Sequence, residues 1–218
     1  CDHDTIGITK EDEKLFRING IHLYKGIEFT TYEDVHIIGV HNNIKSIQSK
    51  PMSYKATELV NVIIGLRGYI IVPHPETDVG LFNKRKISSA DREYVLNHAH
   101  YIEKSNYYFG DTESTEDVLS QYKNLKSLAS SDAHSKECVA AYYNEVNITE
   151  NDAKDLDLQI IHELEIKNIK RIQIAEKEWI WTKFWRGRIA NKFYAIGIKL
   201  CPKPIQKSIK WFVLKIIK

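Results

Sequence analysis

Several things that would mark other protein classes are missing from this chain. It has three cysteines, Cys1, Cys138 and Cys201, with no CxxC pair and no even framework. That spacing excludes a disulfide scaffold and a zinc finger, and a reducing cytoplasm is the simplest setting. No apolar run approaches the roughly 20 residues needed to span a bilayer. The longest runs near the end, around Phe193–Ile198 and Trp211–Leu214, fall far short of it. No signal-peptide pattern, internal repeat or low-complexity tract is visible. Acidic residues are nearly absent from one region, because residues 166–218 hold 14 Lys/Arg and only Glu176 and Glu178.

That last shortage exposes an asymmetry. Residues 1–165 hold 17 Lys/Arg and 27 Asp/Glu, so an acidic body precedes a basic tail. All four tryptophans, Trp179, Trp181, Trp185 and Trp211, lie in the tail. The split predicts a tail with a partner of its own. The 218 residues, 43% hydrophobic and 28% charged, suffice for one ordinary core plus an appendage. The chain begins with Cys, directly on a motif, and is expected to be part of a longer protein or a processed product.

Short apolar runs alternate with helical patterns. Strands are expected from Gly20–Gly26 through Glu28, and over Val35–Val40, Tyr69–Val72, Tyr101–Lys104 and Leu125–Ala129. Between Ser53 and Leu66, Ala56, Leu59, Val60 and Ile63 share one helical face. Ser88 or Ser89 can cap a helix to about Asn97, and Ser114 or Thr115 another over Glu116–Lys123. The alternation predicts an α/β fold with parallel strands. From about Asn151 the character changes, with a helix over Asp152–Glu165 and then the basic aromatic tail, which Pro202 and Pro204 divide into two helical pieces.

Ligand-type residues recur at the expected strand ends: Asp2-His3-Asp4, Glu28, His36, His74 and Asp132-Ala133-His134. In parallel α/β folds the strand C-termini converge on one rim, where sites form. Imidazoles and carboxylates gathered there suit Zn, Mn or Fe. Such ions lower the pKa of a coordinated water and make a nucleophile for a phosphorus centre. His41 competes with His36. His98-Ala99-His100 has ligand spacing but precedes a strand, on the opposite rim, and is read as a helix end favoured by the macrodipole. His22 and His162 are read as structural, and Arg67, Lys84 and Arg85 as solvated charges. Asp4 is expected to orient the His3 imidazole.

Taken in order, these segments resemble the motifs of the PHP (polymerase and histidinol phosphatase) superfamily. Asp2-His3-Asp4-Thr5 is similar to "TDHDT", Gly26-Ile27-Glu28 to "GxE", His36-Ile37-Ile38-Gly39 to "HILG", Pro73-His74-Pro75 to "HP", and Ser131-Asp132-Ala133-His134-Ser135 to "SDAH[ST]". Tyr101-Ile102-Glu103 through Asn106 resembles the intervening "IEvxN" strand. The match in order and spacing covers residues 1–146. It also favours His36 over His41.

The resemblance implies a distorted (β/α)7 barrel over residues 1–150, lacking its first strand, with a helical extension over residues 151–218. It implies two or three divalent metal ions (Zn, Mn or Fe) held by His3, Glu28, His36, His74, Asp132 and His134. Glu28 would bridge two ions, and Glu28, Asp132 and His134 would stand at the reacting centre. The family's first-strand "HxHxxxSDG" motif lies upstream of Cys1, so this chain alone is expected to hold metal weakly.

The activity implied is hydrolysis of a phosphate ester, on a nucleotide or RNA-type substrate or another phosphorylated small molecule. Two alternatives stay open. One is a protein-tyrosine phosphatase of the same fold, and the other a non-catalytic remnant whose tail is its working part. The tail interleaves Trp179, Trp181, Phe184, Trp185 and Tyr194 with Lys183, Arg186, Arg188 and Lys192. Peripheral contact with the inner face of a membrane, packing or homo-oligomerisation, and RNA binding are its three readings.

Overall fold

The computed structural model describes residues 1–47, 50–106, 110–112, 114–134, 138–139, 141–146 and 166–171. The boundary expected at 150/151, the helix expected over 152–165, His162, Ser135 and the tail beyond residue 171 lie outside the described residues.

Among the described residues thirteen elements carry the fold. In chain order they are β1 (Asp2–His3), α1 (Lys10–Ile18), β2 (Gly26–Thr30), β3 (His36–Val40), α2 (Ala56–Gly65), β4 (Tyr69–Val72), α3 (Ser89–His98), β5 (Tyr101–Asn106), β6 (Gly110–Asp111), α4 (Ser114–Gln121), β7 (Lys126–Ser130), β8 (Tyr142–Val146) and β9 (Ile166–Arg171). A short 3-10 turn, Ile44–Ser46, lies between β3 and α2. β1 to β5 pair in sequence order, and β6 and β7 both pair with β5. This mixed α/β sheet meets the barrel expectation only in part. Among the described residues no pairing joins β7 to β1, and the sheet is open.

The expectation of parallel strands throughout is corrected at β3 and β6. β1, β2, β4, β5 and β7 share one direction, whereas β3 runs antiparallel to both β2 and β4. The cause is the short link between β2 and β3. Thr31 and Val35 close it with paired bonds: the Thr31 N–H donates to the Val35 carbonyl at 3.0 Å, and the Thr31 hydroxyl to the same oxygen at 3.0 Å. Asp34 takes a left-handed φ of 57° inside it. So tight a turn can only join antiparallel strands, since a parallel crossover needs a dozen residues or more. β6 runs antiparallel to β5 in the same way.

The core is aliphatic. Ile27, Ile37, Ile44, Leu59, Ile63, Ile70, Leu81 and Ile102 are fully buried. α2 buries Ala56, Leu59, Val60 and Ile63, the face that its periodicity assigns to the interior. Gly39 on β3 lets this helix approach, because a Cβ there would stand 2.9 Å from the Ile63 Cδ1. α1 is the opposite case. It buries none of its residues, and a capping box between Thr9 and Asp12 holds its first turn. β9 corrects the start of the expected helical extension, since residues 166–171 form a strand antiparallel to β8. Asn144 on β8 bonds the Ala129 amide and carbonyl of β7, both at 2.8 Å. Among the described residues no helix is long and apolar enough to cross a membrane.

The turn after β4 is the most crowded part of the frame. A Cβ on Gly80 would lie 2.3 Å from the Pro75 carbonyl oxygen and 2.5 Å from that of His74. Backbone atoms cannot yield as a side chain can. Gly80→Ala is therefore expected to displace the His74 turn and cost roughly 1–3 kcal/mol, read as a lower urea midpoint of the metal-free chain.

Candidate metal centre

The strand directions decide which residues meet. His3 ends β1, His74 follows β4 and Asp132 follows β7, so all three reach the C-terminal rim of the parallel strands. His36 reaches the same rim from the other direction, because it begins the antiparallel β3. Register sets the neighbours, with His3 opposite Glu28 and Thr30 opposite His36. His41, at the far end of β3, lies on the other rim, where its Nδ1 accepts the Asn43 N–H at 3.1 Å. His98 and His100 also belong to that far rim. The His98 Nδ1 donates to the Tyr94 carbonyl at 2.8 Å, and the His100 Nδ1 accepts the Ile70 N–H at 3.1 Å.

Glu28 is the hub. Its Oε1 lies 2.9 Å from the His36 Nδ1 and 3.0 Å from the His74 Nε2, and its Oε2 lies 3.7 Å from the His3 Nε2. The two nitrogens on Oε1 are 3.4 Å apart. The His3 ring centroid is 5.0 Å from that of His36 and 6.2 Å from that of His134. Ligand atoms about 2.0–2.2 Å from a tetrahedral ion stand roughly 3.3–3.6 Å from one another. The separations around Glu28 bracket that spacing, so the donor set fits a divalent ion. His3, Glu28 and His36 form one such group, with ligand atoms within 4.8 Å of one another. The structure places His3 and His36 on one carboxylate.

Asp132 and His134 line the same cavity, whose volume is about 500 Å³. The His134 Nδ1 donates to the Asp132 carbonyl oxygen at 2.8 Å, which leaves Nε2 as its basic nitrogen. Asp4 departs from its expected role. Its carboxylate accepts the Thr30 N–H at 2.9 Å and the Thr30 hydroxyl at 2.8 Å, so it fastens β1 to β2 and does not orient the His3 ring.

One residue of the cavity was given no role by the sequence reading. Glu103 on β5 is 2% exposed and faces the cavity, within the strand that the resemblance already marks. Its Oε2 accepts the His74 N–H at 2.5 Å and the Asn106 Nδ2 at 3.1 Å, and its Oε1 accepts the Ser130 hydroxyl. The available signal was a carboxylate in a short strand between buried neighbours, which needs partners to be tolerated.

Charges in the cluster are strongly coupled. Burial works against ionisation of Glu28, yet hydrogen bonds from His36 and His74 and the charges of His74 and His3 outweigh it. The carboxyl is held far below the usual range. Burial likewise opposes a proton on His74, but Glu28, Glu103 and Asp132 together raise its pKa. Burial pushes the Glu103 carboxyl up, and its hydrogen bonds to Ser130, Asn106 and the His74 amide offset this only in part.

A family model described as "PHP-associated" matches residues 110–162, the segment that carries Asp132 and His134. The crystal structure of PsfC from Pseudomonas syringae PB-5123 is 14% identical with a TM-score of 0.52, over 78% of this chain and 68% of that one. A Bifidobacterium adolescentis ATCC 15703 protein, provisionally described as a metal-dependent phosphoesterase, is also 14% identical. Its TM-score is 0.49, over 72% of this chain and 85% of that one. A search of curated proteins gives no significant match.

The coupled pair sets a pH dependence for the metal-free chain. His74, raised above its unfolded value of 6.5, stabilises the fold below that pH and ceases to do so as pH rises through the folded value. Glu28, depressed below 4.5, stabilises above that pH and loses its contribution only in strong acid. Unfolding in urea with chelator is therefore expected to need less denaturant at about pH 8.5 than at about pH 6. Glu28→Gln should flatten the difference. Metal affinity should rise over the same range, because His74 must shed its proton to coordinate.

Proposed function

We propose that the chain is a metal-dependent phosphoesterase, with divalent ions held by His3, Glu28, His36, His74, Asp132 and His134. The observation that carries this reading is the convergence of three imidazoles on the buried carboxylate of Glu28. Nitrogen and oxygen donors in that ratio suit Zn, Mn or Fe. The match of residues 110–162 to a family model described as PHP-associated agrees with it.

When bound, such ions would polarise a phosphoryl oxygen and supply a nucleophile near neutral pH. The protein's own residues do the rest. Glu28 keeps its charge at every physiological pH and so holds cations against the imidazoles around it. The left-handed backbone at His74 (φ 25°) and Asp132 (φ 44°) turns both side chains off the strand ends into the cavity they line. His134 is exposed at the rim with its Nδ1 proton held by the Asp132 carbonyl, which presents Nε2 as the nitrogen that would hold a cation. The cavity, about 500 Å³, admits a phosphorylated small molecule or the end of a nucleotide.

The test is a panel of phosphomonoesters, nucleotides and short RNA with Mn²⁺, Zn²⁺ or Fe²⁺, comparing the chain with Glu28→Gln and His134→Ala. Glu28→Gln is expected to lower bound metal and rate together, by about 100-fold or more. His134→Ala should lower kcat by about 10²-fold or more while leaving metal at His36 and His74. Full activity in chelator would overturn the reading.

A further inference from the structure

Two ligand-bearing turns of this site share an unfavourable backbone. His74 and Asp132 both adopt positive φ, 25° and 44°, without being glycine. Such conformations are unfavourable for residues other than glycine and persist only where the surroundings fix them. Each turn has a local bond, Thr77 N–H to the His74 carbonyl at 3.1 Å and His134 Nδ1 to the Asp132 carbonyl at 2.8 Å, and a further set of bonds joins the two turns. β4 ends at Val72, two residues before His74, so the His74 amide lies beyond the strand. It donates to the Glu103 Oε2 at 2.5 Å. Glu103 receives Asn106 on that same oxygen at 3.1 Å, and the Asn106 Nδ2 also reaches the Asp132 Oδ2 at 3.4 Å. The Ser130 hydroxyl, two residues before Asp132, donates to the other Glu103 oxygen.

The chain of contacts therefore runs from the His74 backbone through Glu103 and Asn106 to the Asp132 carboxylate. Both carboxylate oxygens of Glu103 are occupied, and Glu103 and Asn106 are 2% and 1% exposed. We infer that Glu103 and Asn106 are positioning residues that lock the His74 and Asp132 turns against each other and so set the spacing of the metal ligands. The inference rests on the metal-site reading given above. It adds that two strand ends, β4 and β7, are brought into register by a buried pair on the strand between them.

The mechanism is geometric, which separates it from a long-range effect of charge. Gln in place of Glu103 keeps a carbonyl oxygen for the His74 amide and Asn106, and its NH₂ can donate to a rotated Ser130 hydroxyl. Ala removes every one of these bonds and leaves buried donors without partners.

The experiment measures Zn²⁺ affinity by chelator competition and the visible d–d spectrum of the Co²⁺-substituted full chain. Far-ultraviolet circular dichroism checks folding of each variant. Glu103→Ala is expected to weaken metal binding about 10–100-fold and to shift the Co²⁺ bands. Glu103→Gln should stay within about threefold of wild type with the wild-type spectrum, since its hydrogen bonds survive. Asn106→Ala should lower affinity about tenfold, and carries the test if Glu103→Ala does not fold. Wild-type affinity in Glu103→Ala, or in Asn106→Ala where it must stand alone, would overturn the inference. So would a Gln variant as weak as the Ala variant, which would assign the effect to charge. A wild-type chain that takes up no metal at all would instead defeat the metal-site reading, and this inference with it.

Discussion

The arrangement depends on one buried anion. Glu28 is 6% exposed, in a strand whose first four residues are all buried. A carboxylate in such a place is tolerated only if its charge is answered at short range. Three imidazoles answer it, each from a different strand or strand end. The sheet's connectivity follows from this need as much as from burial of the apolar faces. Register places His3 beside Glu28, the tight β2–β3 turn returns His36 to the same rim, and the turn after β4 delivers His74 from beyond it. An aliphatic core beneath fixes the strand positions, and the polar cluster uses them.

Much of this was legible in the sequence, and the exceptions have physical reasons. The α2 periodicity gave the buried face residue by residue, because a helix against a sheet must present one stripe. Tyr69–Val72 was readable as a strand because it is short, apolar and bounded by Gly68 and Pro73. The ligand-type residues stood out because polar groups directly after apolar strands seldom serve packing. The direction of β3 was not legible. It depends on five residues, Thr31–Val35, whose hydroxyl and backbone bonds make a hairpin, and no periodicity reports that. α1 was missed for the opposite reason. It buries nothing, so its only local signal is the Thr9–Asp12 cap, and charged residues fill most of its length.

Glu103 marks a different limit. A strand motif can be recognised while the work of one residue inside it goes unread. What gives Glu103 a role is the set of groups that reach it from β4, from β7 and from its own strand, and these come together only in the folded sheet. The same holds for Asp4. Its place beside His3 suggested a partner for the imidazole, whereas the strand pairing put Thr30 within its reach first.

Positive φ is concentrated at this rim. Asp4, His74 and Asp132 all adopt it, each directly beyond a strand or within two residues of one. Each is also tied by a polar contact from a neighbouring strand: Asp4 to Thr30, His74 to Glu103, and Asp132 to Asn106. The pattern is consistent with strain offset by the folded frame and kept where side chains must leave the sheet at an angle that ordinary strand ends do not provide. It also explains why the ligand cluster needs so large an aliphatic core beneath it. Imidazoles packed this closely repel one another when protonated together, while Glu28, with Glu103 and Asp132 near His74, answers that charge. The core therefore holds the ligands at a spacing set before any cation arrives. A divalent ion would add its own attraction with the strain already met by the fold.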